Sequence, residues 1–353
     1  MSGKATAAGV LVVTIIVLTA GVSHADVFNM PNGQTSLDFV TVGDPGNSAD
    51  TTGYGAVGYT YQMGTYDVTL GQYAAFLNAV ATSGDPYGLY NSKMAIAFAV
   101  YGIARSGTAG SYTYAITGTA TGKYNFPIVG ASWGDAARFC NWLQNGQPAG
   151  TEGNGTTETG VYTLSGATSG VALMAVTRNT TANYFIPAEN EWYKAAYYKG
   201  GSTNSGYWKY PTQSNIAPVN ILSSVGTNNA NFYDYYGTGN GTYTDTTNYQ
   251  TPVGCFVGSP GPYGTYDMGG DVWQWDEANI HGTFRGLRGG SSGFDSDYLA
   301  SSYRRTSGYN PSTEIGDIGF RVGSSVATPE PSSIALLLAG ALAFAIWRRR
   351  RTP

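Results

Sequence analysis

From Gly200 to Phe320 the chain runs almost without helical periodicity, through a stretch crowded with Gly, Ser, Thr, Asn and Tyr. Such a stretch cannot be the body of a helical bundle. Fifty glycines, 28 tyrosines and only 11% charged residues describe the whole sequence in the same way: the mixture suits a turn-rich extracellular domain. With 353 residues there is chain enough for one large or two small domains with a real core.

Regular structure is expected mainly before that stretch. Residues 61–68 alternate like a strand, and Thr69 can then cap a helix through Gln72, Tyr73, Phe76 and Leu77. Residues 83–124 suit hairpins, for example at 111–116. Pro127, Ile128 and Val129 lead to Ser132 and Asp135, a capping-box start for a helix that carries Cys140. Residues 145–183 read as a low-charge insertion-like loop. Residues 184–187 form a strand that ends at a third helix, whose first turn holds Glu189 and Glu191 as the helix dipole prefers. No internal repeat and no break in composition divide this region, so one irregular α+β domain is expected.

The two ends have a different character. Lys4, the apolar stretch 7–20 and the small-x-small triplet Ser23, His24, Ala25 form a secretory signal, residues 1–25. A lead-in covers 26–54, the domain 55–325, and a tail 328–353. In the tail, Pro329, Glu330 and Pro331 precede an apolar run of 16 residues, Ser332 to Trp347, and then Arg348 to Arg351. Sixteen is short against the roughly 20 residues of a spanning helix, though Trp347 and the arginines can reach the interface. The tail resembles the PEP-CTERM sorting signal of Gram-negative bacteria, which implies transient membrane insertion and an exosortase-type partner; an ordinary tail anchor is the alternative. Both place the domain outside the cytoplasm. Removing the signal and everything after Glu330 takes away Lys4 and the four arginines, so 13 basic residues face 22 acidic ones. That balance, with no basic stripe elsewhere, excludes nucleic acid as a partner and favours cations.

Five segments in fixed order carry a further resemblance. They are Tyr66, Asp67, Val68 and Thr69 with Tyr73 and Phe76; Ser132, Trp133, Asp135 and Ala136 ending at Cys140, Asn141, Trp142 and Leu143; Pro187 to Trp192; Gly264 to Trp275; and Arg288, Gly289, Gly290 and Ser291 with Tyr303, Arg304, Gly319, Phe320 and Arg321. Together they resemble the formylglycine-generating enzyme, or sulfatase-modifying factor, family over residues 55–323. The resemblance implies a variant of the C-type lectin fold, in which Trp133, Trp142, Trp192, Trp273 and Trp275 pack the core.

What that resemblance implies for chemistry is a departure. The family's oxidase holds copper(I) with two thiolates five residues apart, a soft-ligand site. The matching positions here are Phe294 and Leu299, and neither Tyr298 nor Ala300 supplies a thiol under a one-residue shift. Copper is therefore not expected. Iron chemistry on the same superfold needs several histidines, and after the signal only His281 remains, placed on a surface loop. Ser291 with His281 makes no triad beyond residue types. Cys140 and Cys255 are expected as free or buried thiols rather than a bridge.

The family's two structural calcium ions fare better. One set of matching positions is Asn231 and Asp245 by side chain with Phe232 and Thr247 by carbonyl. The other is Asp267 and Gln274 by side chain with Gly270 and Val272 by carbonyl. Asp267 adds a charge where the family often has an amide, and Gln274 removes one where it usually has Glu. Three functions follow: a catalytically silent surface or matrix module binding an extracellular glycan or peptide, a formylglycine-type copper oxidase, or another metal enzyme using Asp295, Asp297 and Trp273. The missing thiolates favour the first.

Overall fold

The computed structural model describes residues 37–99, 101–306 and 309–325. The signal sequence and the C-terminal apolar run lie outside them, so the expected C-terminal membrane helix does too. Among the described residues no helix is long and apolar enough to cross a membrane.

Strand β1 (Phe39–Val42) pairs antiparallel with β2 (Tyr61–Gly64), Phe39 opposite Gly64. The sheet thus begins inside the segment read as a lead-in. The alternation over 61–68 overstates the strand: it ends at Gly64, and all four of its residues are buried. Thr69 then caps α1 (Leu70–Val80), with a reciprocal bond to Gln72. Strands β3 (Tyr101–Ser106) and β4 (Thr113–Gly118) form the hairpin, preceded by an unforeseen 3₁₀ helix, Ser92–Ala99. Helix α2 (Trp133–Gln144) starts at the Ser132–Asp135 capping box. The insertion-like region holds one short helix, α3 (Gly170–Met174), and is otherwise irregular. Then come β5 (Tyr184–Phe185) and α4 (Glu189–Tyr197).

After more than seventy irregular residues, β6 (Trp273–Ile280) and β7 (Phe284–Arg288) form a bulged hairpin. Strand β8 (Ile318–Gly319) joins β6 in parallel, and β9 (Gly323–Ser324) inserts between β2 and β5. The last residues of the domain therefore close the sheet begun by the first. The main core runs under α1, α2 and the β6–β7 hairpin, and all five tryptophans expected in the core are fully buried. A second cluster gathers Trp192, Tyr193 and Tyr197 of α4 with Val42, Tyr61 and Met268. Both cysteines are free: Cys140 is buried and Cys255 half-buried.

Candidate functional site

The β7 strand leads into Gly289 and Gly290, both at positive φ (97° and 76°). At Gly290 a Cβ would lie 2.9 Å from Leu299 Cδ1, so the turn needs glycine for both conformation and space. The turn delivers Ser291, whose hydroxyl donates to Asp317 Oδ2 at 3.3 Å. Burial pushes the Asp317 carboxyl up, opposed by Ser291 and Arg305. His281 is exposed at the tip of the β6–β7 turn, with φ 54°; the hydroxyl's acid partner is Asp317 and not part of a triad.

The two positions that match the copper cysteines have different surroundings. Phe294 is half-buried, with its ring 5.4 Å from Trp273 and 4.8 Å from Tyr298, and Tyr303 lies 4.5 Å beyond Tyr298. The Arg305 guanidinium covers Trp273 at 4.9 Å and Phe294 at 5.3 Å. Leu299 is fully buried in a separate cluster with Tyr210, Ala230, Phe232 and Ala300. Tyr197 pins its backbone by donating to the Leu299 carbonyl at 3.0 Å. One position belongs to an aromatic shelf and the other to the interior. Burial pushes both remaining thiols, Cys140 and Cys255, well up, so neither is a thiolate near neutrality.

Asp295 and Asp297 serve a turn. Asp295 accepts from the Asp297 N–H at 2.9 Å and caps the 3₁₀ turn Ser296–Leu299, while Asp297 Oδ2 accepts from the Tyr236 hydroxyl at 3.2 Å. Trp273 lies beneath Phe294. Among the described residues no group of three or more His, Cys, Asp and Glu is placed to hold a metal ion.

The two calcium cradles differ in how their oxygens are used. In the first, the Asn231 amide N–H₂ reaches Asp271 Oδ1 and the Tyr249 carbonyl, both at 3.0 Å. Its buried Oδ1 has no hydrogen-bond partner among the described residues. An orphaned carbonyl oxygen of this kind is what a hard cation would satisfy. Asp245 sits in a turn and accepts from the N–H groups of Thr247 and Asn248 at 2.8 and 2.9 Å. Partial burial works against its charge, but these hydrogen bonds prevail and hold its carboxyl below the usual range. The Phe232 carbonyl accepts from Asn220 Nδ2 at 3.1 Å. The Asn248 amide also donates to Asp245 Oδ2 at 2.7 Å, so of this set it is the Asn231 oxygen that is left to meet an ion among the described residues.

In the second cradle Gln274 Oε1 accepts from Trp192 Nε1 at 2.7 Å and from Arg321 Nε at 3.2 Å, while its Nε2 donates to the Asp267 carbonyl at 2.8 Å. Asp267 Oδ2 accepts from Gly254 N–H at 2.6 Å, and the Gly270 carbonyl accepts from Val272 N–H at 2.8 Å. Gly270 itself is obligatory, since a Cβ there would lie 2.1 Å from the Asn231 carbonyl oxygen. A water-sized cavity of about 10 Å³ lies beside Asp267, bounded by Thr265, Asn229 and Ser259.

Three residues that hold these cradles together stand inside the matched segments without a role assigned to them there. Asp271 accepts from Asn231, from Thr251 N–H at 3.1 Å and from Thr251 Oγ1 at 3.1 Å, joining the two cradles. Arg321 is fully buried and donates to the carbonyls of Gly64 and Tyr266, each at 2.6 Å. Asp67 lies 3.4 Å from that guanidinium. The motif order thus marked Asp67, Asp271 and Arg321 without marking their partners.

A model of the sulfatase-modifying factor enzyme 1-like domain matches residues 31–326, and a PEP-CTERM protein-sorting motif matches 327–351. No curated protein matches the chain. Among solved structures, CarF is 18% identical, with 82% of this chain and 99% of that one covered at a TM-score of 0.45. Treponema denticola variable protein 1 is 19% identical over 83% and 97% of the two chains, with a TM-score of 0.48. PvdO from Pseudomonas aeruginosa is 19% identical over 82% and 92%, with a TM-score of 0.41. The single mixed domain, the ordered motifs and the match over 31–326 make this chain a member of the sulfatase-modifying factor family that carries a PEP-CTERM export and sorting motif.

Proposed function

We propose that this protein is a surface or extracellular binding module built on the sulfatase-modifying factor scaffold, without the family's copper oxidase chemistry. The observation that carries the reading is the fate of the two copper positions: Phe294 lies in an aromatic shelf, and Leu299 fills the core. A phenyl ring and an isobutyl group offer no electron pair to copper(I), and no neighbouring thiol replaces them. The rings of Phe294, Tyr298 and Tyr303 are partly exposed, and Tyr236, 58% exposed, is tied to Asp297 next to Tyr298 in the chain. Rigid aromatic surface of this kind suits recognition of an extracellular glycan or peptide. The PEP-CTERM motif supplies the route to the envelope, through exosortase-type sorting machinery. Calcium at Asn231, Phe232, Asp245 and Thr247 would be structural, tying two irregular segments together.

Two measurements on the mature protein test this reading. Copper(I) titration with a competing chelator should show weak binding only, and a sulfatase-type peptide should keep its cysteine. Conversion of that cysteine to formylglycine, seen as its mass change, would overturn the non-catalytic assignment. Glycan and peptide arrays probed with wild type and with a Tyr298→Ala, Tyr303→Ala variant should give hits that the variant loses.

A further inference from the structure

We infer that the second calcium cradle is locked shut by Gln274 and Arg321, which hold the 266–274 loop through hydrogen bonds and withhold the site from the ion. The orientation of the Gln274 amide follows from its partners. Indole and guanidinium N–H groups only donate, so the amide oxygen must face Trp192 and Arg321; the Asp267 carbonyl only accepts, so the N–H₂ must face it. Both lone pairs of Oε1 are thereby used. The side chain that would offer an oxygen to calcium presents hydrogens to the loop instead.

Two further oxygens of the set are engaged as well. Gly270 O closes a tight turn onto Val272 N–H, and Asp267 Oδ2 takes the Gly254 N–H. Calcium requires about six to eight oxygens at 2.3–2.6 Å, so it would have to break several of these bonds at once. Arg321 already brings a permanent positive charge to the same place. Its guanidinium joins Gly64 of β2, Tyr266 and Gln274, the links that a cation between these segments would make. Asp267 still contributes one carboxylate, and Asp67 beside it is held against Arg321; a glutamate at 274 would add a charged oxygen where Gln274 now presents an amide.

Calcium content decides the matter independently of the first cradle. Mature protein equilibrated with calcium and passed through a desalting column should retain at most one ion per chain by plasma mass spectrometry. Asp245→Ala should remove that ion, and Asp267→Asn should leave the count unchanged. Gln274→Glu should gain one ion per chain and acquire a melting temperature that rises with calcium. Two ions on wild type, one of them lost in Asp267→Asn, would overturn the inference. So would a folded Gln274→Glu protein that gains none. If that variant does not fold, the Asp267→Asn count alone still decides. A wild type that binds no ion would fail the first cradle while leaving the lock standing.

Discussion

Arg288 at the end of β7 donates from Nε and Nη2 to the same carboxylate oxygen of Glu189 in α4, at 3.0 and 2.7 Å. The Arg288 side chain is 1% exposed and that of Glu189 9%, and a second arginine, Arg304, binds both carboxylate oxygens from the surface side at 2.7 Å. Breaking a buried pair costs about 3–5 kcal/mol when the remaining charge is uncompensated, and an exposed pair contributes about 0–1 kcal/mol. Arg304 still neutralises Glu189 when Arg288 is removed, so the loss comes from the buried donors that Glu189 and the Ser301 and Tyr303 carbonyls no longer receive. Arg288→Met should therefore destabilise strongly and Arg304→Ala weakly, as read by urea denaturation. Equal losses would show that the Glu189 carboxylate is not shielded by Arg288.

Calcium at the first cradle predicts a metal-dependent melting temperature. An ion that binds only the folded state stabilises it by mass action, by about 2.7 kcal/mol at a hundredfold excess over Kd. Excess chelator should lower the melting temperature of wild type, and Asp245→Ala should lose most of that response. An unchanged curve in chelator would leave Asn231 and Asp245 as turn residues only.

Glu152 predicts a pH dependence of stability that involves neither cradle's residues. Burial first, and then the neighbouring Asp85 carboxylate, push its carboxyl up from 4.5 to about 9. The folded protein then holds a proton that the unfolded chain releases between those values, so stability from this group is full below about pH 4.5 and is lost as pH rises through about 9. Glu152→Gln keeps the neutral shape and should flatten the fall in unfolding free energy between pH 5 and pH 9. A parallel slope in the variant would remove Glu152 as the cause.

The sorting motif at 327–351 predicts processing in the native host. Intact-mass spectrometry of envelope or secreted protein should find chains ending near Glu330. Mature protein that still ends in Thr352 and Pro353 would contradict exosortase-type cleavage.

Local rules were legible in the sequence wherever the chemistry spans three or four residues. Thr69 with Gln72, and Ser132 with Asp135, are reciprocal caps that the residue types at i and i+3 specify alone. The two free thiols followed from residue type, while the buried tryptophans were what the family resemblance implied. The strand at 61–64 was overextended because its ends are set by pairing with β1 and β9, and β9 lies near the far end of the domain.

Burial and partnership across long separations were decided by the tertiary structure. Nothing in residue type separates Phe294 from Leu299, yet packing makes one a shelf and the other core. The family resemblance assigned Asp267 and Gln274 to one expected calcium site and Asn231 and Asp245 to another, as equivalents. Only the fold brings the Trp192 indole and the Arg321 guanidinium onto Gln274, 82 and 47 residues away, while the Asn231 oxygen has no partner among the described residues. The reason is physical: a side chain's hydrogen-bonding capacity is fixed by its type, but which lone pairs remain free depends on donors that arrive from elsewhere in the chain.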